Sequence, residues 1–347
     1  MNRKQLNKKR TRRRRKLFVT LVMMFSLLFL VTAVYAMMQF EAGRKDPNKL
    51  ISDEFVEQPA ETEDKIVEVK EPENDEPINV LVVGVDTSES LPARTDTIMI
   101  AQYDAKNGTA RLASIMRDTY VEIPGRSNNK INAAFAFGGA DLLRQTIETN
   151  FDLDIHYYAM VNFDGFVEVV DTIAPNGLEV DIEQRMYYKD SAGGLAINFQ
   201  PGLQKLNGKQ TLNYVRFRND NQNDFGRVKR QQEVLSILKE ELLTFSGLTK
   251  VPRLIGAIQP HLETNIPVSR MFSLGRDLVL HPIDIFETMR IPLDDSYENK
   301  YYSHAGSVLK MNTDKNVQAL KDFFSGQLNE TEISLDEEQN EKKADLG

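Results

Sequence analysis

An uncharged, mostly apolar run lies near the N-terminus of this chain of 347 residues. Residues 17–40 contain no side chain that is charged at pH 7. A helix rises about 1.5 Å per residue, so this run reaches the roughly 30 Å of hydrocarbon in a bilayer. The pattern therefore predicts one transmembrane helix at residues 17–40.

The charges before this run predict its orientation. Residues 1–16 hold ten Lys or Arg and no acid, which favours a cytoplasmic tail touching anionic lipid. We therefore expect a single-pass protein of the cell membrane whose later residues are extracytoplasmic. The alternative is a cleaved signal peptide with its site at residues 34–36. The run exceeds the usual h-region of about 7 to 15 residues, which favours the uncleaved anchor.

Two acidic segments bound the predicted folded domain at residues 78–325. Residues 41–77 hold thirteen acids and five bases with several prolines, a composition typical of an extended linker. Residues 326–347 are acidic as well and predict a disordered tail.

Within the domain, apolar runs of two kinds alternate along the chain. Runs rich in β-branched residues predict strands, whereas periodic apolar positions predict helices. The predicted strands are 78–86, 95–105 and 109–118, and the predicted helices are 138–151, 163–173 and 227–245. Interleaved strands and helices indicate an α/β fold with a mostly buried central sheet.

The composition limits the chemistry that the domain can perform. There is no Cys and the four His show no zinc-site spacing, which excludes disulfides, a cysteine nucleophile and a thiolate metal site. A bound metal would then have oxygen ligands, which suits Mg²⁺ or Mn²⁺. Ser114 lacks the elbow motif of serine hydrolases and is interpreted as an ordinary strand residue.

Charged residues follow the predicted strands. Asp86 comes at the end of the first strand, and Arg94 and Asp96 open the second with the alternation that puts both on one side. Arg117 and Asp118 end the third strand. Ligands of open α/β sheets gather at strand ends, although turn capping and surface ion pairs would give the same pattern.

A weaker candidate is the segment KINAAFAFGG, which contains Lys130 and Asn132. Small and aromatic residues there more simply predict helix packing and a loop. Both polar residues are kept as supporting candidates.

The stretch YVRFRNDNQNDFGRVKRQQ at residues 214–232 is the most concentrated basic segment of the domain. Arg216 and Arg218 are two apart, so they share one side if the segment is extended. Arg227, Arg230 and Gln231 share one face of the predicted helix at i, i+3 and i+4.

Asp224 precedes this predicted helix and could cap it, or a bound anion could occupy the N–H groups there. Converging arginines require a counter-charge, and their bidentate donors suit phosphate oxygens. Nucleic acid is not favoured, because the chain has a net charge of -8 and no nucleic-acid-binding motif. A diphosphate with a carboxylate-held Mg²⁺ fits both clusters.

The ordered motifs VLVVGVD, RTDTIMI, SIMRDTYVEIPG, KINAAFAFGG and YVRFRNDNQNDFGRVKRQQ resemble those of the LytR-CpsA-Psr family over about residues 78–325. The resemblance implies a three-layer α-β-α domain around a central mixed β-sheet, with an apolar pocket for a prenyl chain. It also implies a phosphotransferase that moves a polyprenyl-diphosphate-linked teichoic acid or capsular polysaccharide to a muramic-acid hydroxyl of peptidoglycan, forming a phosphodiester.

The same resemblance assigns roles to individual positions. Asp86 and Asp96 correspond to the acids near Mg²⁺ (or Mn²⁺), and either could be the general base. Asp86, Arg94, Asp96 and Arg117 correspond to the catalytic group. The diphosphate-binding positions are Arg94, Arg117, Arg216, Arg218, Arg227 and Gln231, with Asp118, Asp224, Lys130 and Asn132 in support.

Two departures from the family pattern concern loops rather than charged residues. Met116 stands where the family usually has Pro, and residues 174–179 read APNGLE where the family often has Gly-Gly-Val before an acidic strand. Two other functions use the same groups: a non-enzymatic wall-polymer-binding regulator anchored in the membrane, and a polyprenyl-diphosphate hydrolase.

Overall fold

A computed structural model describes residues 34–43, 76–86, 94–190, 195–217, 223–244, 247 and 249–327. The predicted basic tail, most of the predicted anchor and linker, and nearly all of the predicted C-terminal tail lie outside these residues. Residues 34–43 are helical. In the part of the chain that is described, no helix is both long and apolar enough to cross a membrane.

The predicted strands form the centre of a mixed sheet. The strands of this sheet are β1 (Ile78–Asp86), β2 (Arg94–Asp104), β3 (Thr109–Ile115), β6 (Tyr157–Asn162), β11 (Leu262–Thr264) and β12 (Ile285–Ile291). β1 pairs with β2 and β2 with β3, both antiparallel, whereas β1 with β6 and β3 with β12 are parallel pairs. The described residues give this sheet six strands in the order β11-β6-β1-β2-β3-β12.

Shorter strands pair in two-stranded ribbons around the sheet. They are β4 (Tyr120–Val121) with β5 (Asn129–Lys130), β7 (Leu178–Ile182) with β10 (Gly202–Leu206), β8 (Met186–Asp190) with β9 (Leu195–Phe199), and β13 (Tyr297–Tyr302) with β14 (Gly306–Met311).

Helices cover both faces of the central sheet. They are α1 (Ile131–Phe151), α2 (Phe163–Ile173), α3 (Gly208–Arg216), α4 (Asn223–Leu243), α5 (Val251–Ile258), α6 (Val268–Leu280) and α7 (Thr313–Ser325). Gly138 and Gly139 have non-helical backbone angles and break α1 into two helical segments, so the helix predicted at 138–151 is the second of them and an additional segment from Ile131 precedes it.

Strand alternation divides the interior into two parts. Leu81, Val83 and Ile100 are fully buried and pack with α1 and α7 in one apolar core. A second core joins α2, α3 and α4 to the ribbons β7–β10 and β8–β9. The helices therefore lie on both faces of a mixed sheet, as the resemblance implies, and the second face carries the candidate site.

Candidate functional site

A cavity of about 700 Å³ lies between the central sheet and helices α2, α3 and α4. Its floor is the second face of the sheet, where Gly84, Met99 and Ala101 alternate with the core-facing residues. A Cβ on Gly84 would lie 3.0 Å from the Cβ of Thr97, so glycine allows β1 and β2 to approach closely here. The size falls within the range of about 300 to 1,000 Å³ that is usual for ligand pockets.

The cavity walls are mostly apolar. Hydrophobic side chains from the sheet, four helices and the β8–β9 ribbon line it: Met99, Leu112, Phe166, Val169, Tyr188, Leu212, Val215, Leu235, Leu238 and Ile258. Such a surface is chemically suited to a hydrocarbon chain, since each buried CH₂ contributes about 0.8 kcal/mol.

Polar groups gather at one end of the cavity, around Asp96. A guanidinium nitrogen of Arg117 donates to Asp96 Oδ1. Arg227 Nη2 donates to the main-chain oxygen of Asp96 at 3.0 Å, and Arg227 Nη1 lies 3.7 Å from Asp96 Oδ2. Arg227 is only 3% exposed, so its charge lies inside the protein. Three predicted site residues from β2, the β3–β4 turn and α4 therefore meet here.

Asp118 and Lys130 extend this group of charges. Asp118 Oδ2 lies 3.6 Å from Arg117 Nε, and Lys130 Nζ lies 2.7 Å from Asp118 Oδ1. The main-chain N–H of Asn132 donates to the carbonyl oxygen of Arg117 at 3.3 Å. The β4–β5 pair and the start of α1 thus position the Arg117 turn.

Arg216 lines the cavity from another direction. Its guanidinium carbon lies 4.3 Å from the ring centroid of Phe163, a cation–π contact that holds the charge beside the cavity. The expectation that Arg216 belongs to an extended segment is wrong, because Arg216 is the last residue of α3. Asn207 and Gln210 form a capping box that begins this helix, which explains why the chain is helical here.

The three polar residues predicted to share one face of α4 contact two different parts of the protein. Arg227 and Gln231 line the cavity, and Gln231 Nε2 donates to Thr97 Oγ1 at 3.0 Å. Arg230 instead lies near Phe217, 5.5 Å from the ring centroid, and donates to its carbonyl oxygen. The i+4 pair therefore faces the cavity, whereas the i+3 residue faces the end of α3.

Four other predicted positions are described only in part or not at all. Asp86 and Arg94 are opposite each other in the β1–β2 register, just after the β-bulge at Gly84 and Val85. Their side chains lie outside the described residues, as does the whole of Arg218. Asp224 is inside the first turn of α4 rather than before the helix, because α4 begins at Asn223.

The described charges in and beside the cavity are predominantly positive. Four cations, Arg117, Lys130, Arg216 and Arg227, outnumber the carboxylates of Asp96 and Asp118. Both carboxylates already contact cations, so a ligand that brings further negative charge would balance the group. An amphiphile with an anionic head and an apolar tail matches the two ends of the cavity.

A magnesium ion is compatible with the donor chemistry at this end. Mg²⁺ is usually held by one or two carboxylates with substrate phosphates and water, and Asp96 presents such a carboxylate. Among the described side chains no group of three or more His, Asp or Glu could hold a metal ion. A site here would therefore use Asp96, the second predicted acid Asp86 and ligand oxygens.

A buried hydrogen bond joins the two helices that carry the arginines. Tyr214 of α3 donates its hydroxyl to Glu233 Oε2 of α4 at 2.8 Å. Burial raises the pKa of Glu233 above its ordinary value of 4.5, although the hydrogen bond from Tyr214 acts in the opposite direction. Burial and the Glu233 carboxylate likewise raise the pKa of Tyr214.

The raised pKa of Glu233 predicts that the stability of the folded chain depends on pH. The folded chain holds the Glu233 proton more tightly than the unfolded chain, so this group's contribution is fully present below pH 4.5 and is lost as the pH rises through the raised pKa. Glu233→Gln stays neutral and should lose less stability between acidic and neutral pH. Urea unfolding of both full chains in detergent from pH 4 to 8 measures this; a constant difference between them would contradict the prediction.

Several residues of the cavity are not among the positions predicted from the sequence. Phe163 and Asn162 lie where β6 ends, beside the end of the parallel strand β1, and Asn162 caps α2 by accepting from the N–H of Gly165 at 2.8 Å. An Asn before a predicted helix was the available signal. Thr97 and Tyr188 had no comparable signal, because their positions depend on packing with distant segments.

Known proteins resemble the chain in sequence and in fold. The LytR_cpsA_psr family model matches residues 42–321. Regulatory protein MsrR of Staphylococcus aureus (strain COL) is 39% identical over 251 residues, which cover 72% of this chain and 75% of MsrR. The polyisoprenyl-teichoic acid–peptidoglycan teichoic acid transferase TagU of Bacillus cereus is 33% identical over 221 residues, covering 63% of this chain and 70% of TagU.

A solved structure shares the fold. TagT, a B. subtilis protein, bound to LI-WTA superposes with a TM-score of 0.57 and 25% identity over 79% of this chain and 95% of TagT. The family match covers more than half of the chain and agrees with the ordered motifs and with the mixed sheet. The chain therefore belongs to the LytR-CpsA-Psr family.

Proposed function

We propose that this protein is a phosphotransferase that moves a glycopolymer from a polyprenyl diphosphate to a muramic-acid hydroxyl of peptidoglycan. The polymer would be a teichoic acid or a capsular or secondary wall polysaccharide. One observation carries the proposal: an apolar cavity of about 700 Å³ is lined by Asp96, Arg216 and Arg227, and Arg117 contacts Asp96 beside it.

The cavity matches the donor in both of its chemical parts. The apolar walls accept the prenyl chain, and the arginines bind the diphosphate that joins the chain to the glycan. Arg227 is buried, where a guanidinium interacts with a phosphate more strongly than it would in water.

The transfer step follows from this placement. The acceptor hydroxyl oxygen attacks the phosphorus that bears the glycopolymer, and a new P–O bond forms. The bond from that phosphorus to the bridging oxygen breaks, so polyprenyl phosphate leaves with the electron pair. The hydroxyl proton passes to a carboxylate, Asp96 or Asp86, acting as general base. Arg117 and Arg227 stabilise the negative charge that develops on the phosphate oxygens.

Asp86 and Asp96 would hold Mg²⁺, or Mn²⁺, which when bound neutralises part of the diphosphate charge. Asp96 already contacts Arg117 and Arg227, so the diphosphate would have to draw these guanidinium groups to itself. The transfer assay run with Mg²⁺, with Mn²⁺ and with EDTA tests this assignment.

The names of two similar proteins support this class of reaction. TagU is named as a teichoic acid transferase acting between a polyisoprenyl carrier and peptidoglycan, and TagT was solved bound to LI-WTA. MsrR is named as a regulatory protein, which corresponds to the non-enzymatic alternative. A polymer-binding regulator needs the arginines but has no need of a carboxylate between them, and Asp96 lies between Arg117 and Arg227.

We also propose that residues 17–40 anchor the chain in the cell membrane, with residues 1–16 in the cytoplasm and the domain outside. The uncharged run and its basic flank support this topology. A prenyl-linked donor lies in the same bilayer, so anchoring would keep enzyme and donor together.

Arg117→Ala is expected to lower polymer transfer by about 100-fold or more, since Arg117 supplies charge beside Asp96 and the reacting phosphate. The measurement uses the full chain in detergent with Mg²⁺, a short-prenyl diphosphate-linked sugar and a peptidoglycan oligomer, and follows the glycan on the oligomer.

Arg126→Ala is the matched control for this variant. Arg126 is exposed and lies over the Phe137 ring at 4.8 Å, so its loss should leave transfer unchanged. Equal activity of the Arg117→Ala variant and the unmodified chain would refute the role of Arg117. Release of prenyl phosphate without glycan transfer would instead identify a hydrolase, and binding without turnover would identify a regulator.

A further inference from the structure

The helix at residues 34–43 packs closely against α5. A Cβ on Gly256 would lie 2.2 Å from the carbonyl oxygen of Phe40, and a Cβ on Gly43 would lie 2.3 Å from that of Arg253. Both distances are shorter than any real contact, so only glycine fits at either position. Small residues of this kind let two helix backbones approach each other. The 34–43 helix is therefore held at a defined place on the domain.

Helix α6 carries an exposed apolar stripe beside this contact. Val268, Phe272 and Leu280 are exposed at i, i+4 and i+12, spacing that keeps them near one face of the helix. The ring centroid of Phe272 lies 6.0 Å from that of Phe40, which joins the stripe to the 34–43 helix.

The 34–43 helix adds further exposed apolar side chains. Val34, Tyr35, Met37 and Met38 are between 50% and 68% exposed. Together with the α6 stripe they form a patch, here called the apolar face. Large contiguous apolar surface on a folded domain indicates a partner that covers it.

The position of the 34–43 helix in the chain identifies that partner as a lipid bilayer. Residues 17–33 continue the uncharged run directly before this helix, so residues 34–40 of the 34–43 helix are the outer end of the predicted 17–40 anchor. Exposed Arg253 lies on α5, which packs against the 34–43 helix, and exposed Arg276 lies on α6, where its Nη2 is 2.9 Å from Asp277 Oδ1. Apolar side chains with adjacent cations fit the boundary between acyl chains and anionic headgroups.

The apolar face also lies close to the cavity. Gly256 faces the 34–43 helix, whereas Ile258, two residues later and on the other side of α5, lines the cavity. One helix therefore separates the apolar face from the cavity, and packed helix axes are about 8 to 10 Å apart.

We propose that the apolar face lies against the outer leaflet of the bilayer, with the 34–43 helix as the outer end of the proposed 17–40 anchor and the exposed stripe of α6 in the bilayer surface beside it, and that this contact holds the cavity beside the lipid phase. A prenyl chain then reaches the cavity without crossing water. This proposal rests on the proposed transferase function and anchor, and it adds a second membrane contact that sets the orientation of the domain.

Because the chain contains no Cys, one introduced cysteine provides a single labelling site at which lipid contact can be measured. Phe272→Cys and Leu203→Cys each receive an environment-sensitive fluorophore in the full chain, reconstituted in phosphatidylcholine–phosphatidylglycerol vesicles. Leu203 is 70% exposed on β10 and is the control. We expect lipids brominated on their acyl chains to quench the probe at residue 272 at least threefold more than the probe at residue 203. Equal quenching, as when a second copy or another protein covers the face, would overturn the proposal.

The helix contact is tested with Gly256→Leu, whose side chain cannot fit against Phe40. We expect at least fivefold slower transfer from a long-prenyl donor in vesicles, and unchanged transfer from a short-prenyl donor in detergent. Gly275→Ala is the control, because its Cβ would meet only a Val251 methyl at 3.1 Å. Unchanged transfer by Gly256→Leu in vesicles would overturn the orientation role. If the unmodified chain transfers no polymer in detergent, the transferase function is refuted. The quenching experiment would still test the membrane contact by itself.

Discussion

Arg227→Met should abolish most polymer transfer, lowering kcat/KM by about 100- to 1,000-fold. Arg227 is buried at the end of the cavity and donates to the main-chain oxygen of Asp96 at 3.0 Å. Methionine fills similar space but supplies neither the charge nor the donor. The half-buried carbonyl of Asp96 then loses a hydrogen bond from a charged donor, so the free energy of unfolding should also fall by about 1.5 to 3 kcal/mol.

Lys229→Met is the matched control, because Lys229 lies two residues along α4 with its side chain 66% exposed. Both variants are compared with the unmodified chain by steady-state transfer in detergent and by urea unfolding. An Arg227→Met protein with normal turnover, or a Lys229→Met protein with an equal defect, would show that the buried guanidinium has no special role.

Ala101→Phe should discriminate between donors by the length of their prenyl chain. Ala101 lies on the floor of the cavity, and a phenyl ring there occupies the space available to hydrocarbon. We expect KM for a long-prenyl donor to rise about tenfold or more, equivalent to about 1.4 kcal/mol of binding free energy. A donor whose prenyl chain is too short to reach Ala101 should keep its KM. Transfer kinetics with donors of graded chain length measure the difference.

Ala196→Phe controls for the added bulk, because Ala196 is exposed on β9. The cavity assignment fails if KM of the Ala101→Phe variant rises by the same factor with every donor, since a uniform change indicates a general folding defect. It also fails if neither donor is affected.

The parts of the site that follow local periodicity could be predicted from the sequence. Arg227 and Gln231 are four residues apart in a strongly periodic helix, and both line the cavity. Asp96 and Arg117 follow strand patterns whose register is set by alternating burial, and their contact agrees with the expectation that strand ends converge. The periodicity of helices and strands is therefore sufficient to predict that these four residues lie close to one site.

Arg216 shows where charge spacing was misleading. The spacing of Arg216 and Arg218 predicts that both face one side of an extended segment. Instead, Tyr214 and Val215 are buried on α3, and Arg216 is the last residue of that helix. The stronger signal was the N-x-x-Q capping box at Asn207 and Gln210, which lies before the basic stretch. The conformation of residues 214–216 is therefore determined by a helix that begins before the basic stretch, at the Asn207 cap.

The cavity itself could not be predicted from local patterns. It exists because small residues on the sheet, Gly84 and Ala101, lie opposite helices that come from segments far along the chain. A hydrophobic pattern indicates which residues are buried, but not whether the facing side chains meet across the interior. Only the resemblance to the family implied an apolar pocket before the fold was known.

The two faces of the central sheet differ in how completely the chain fills them. On one face Leu81, Val83 and Ile100 are fully enclosed by side chains of this protein. On the other face a hydrocarbon-sized space separates the sheet from α2 and α4, so the residues around it lack part of the dispersion contact that a packed interior provides. A prenyl chain in that space would act as a missing piece of the hydrophobic core. Under the proposed function, binding of the donor would therefore also complete the packing of this helical layer and stabilise it.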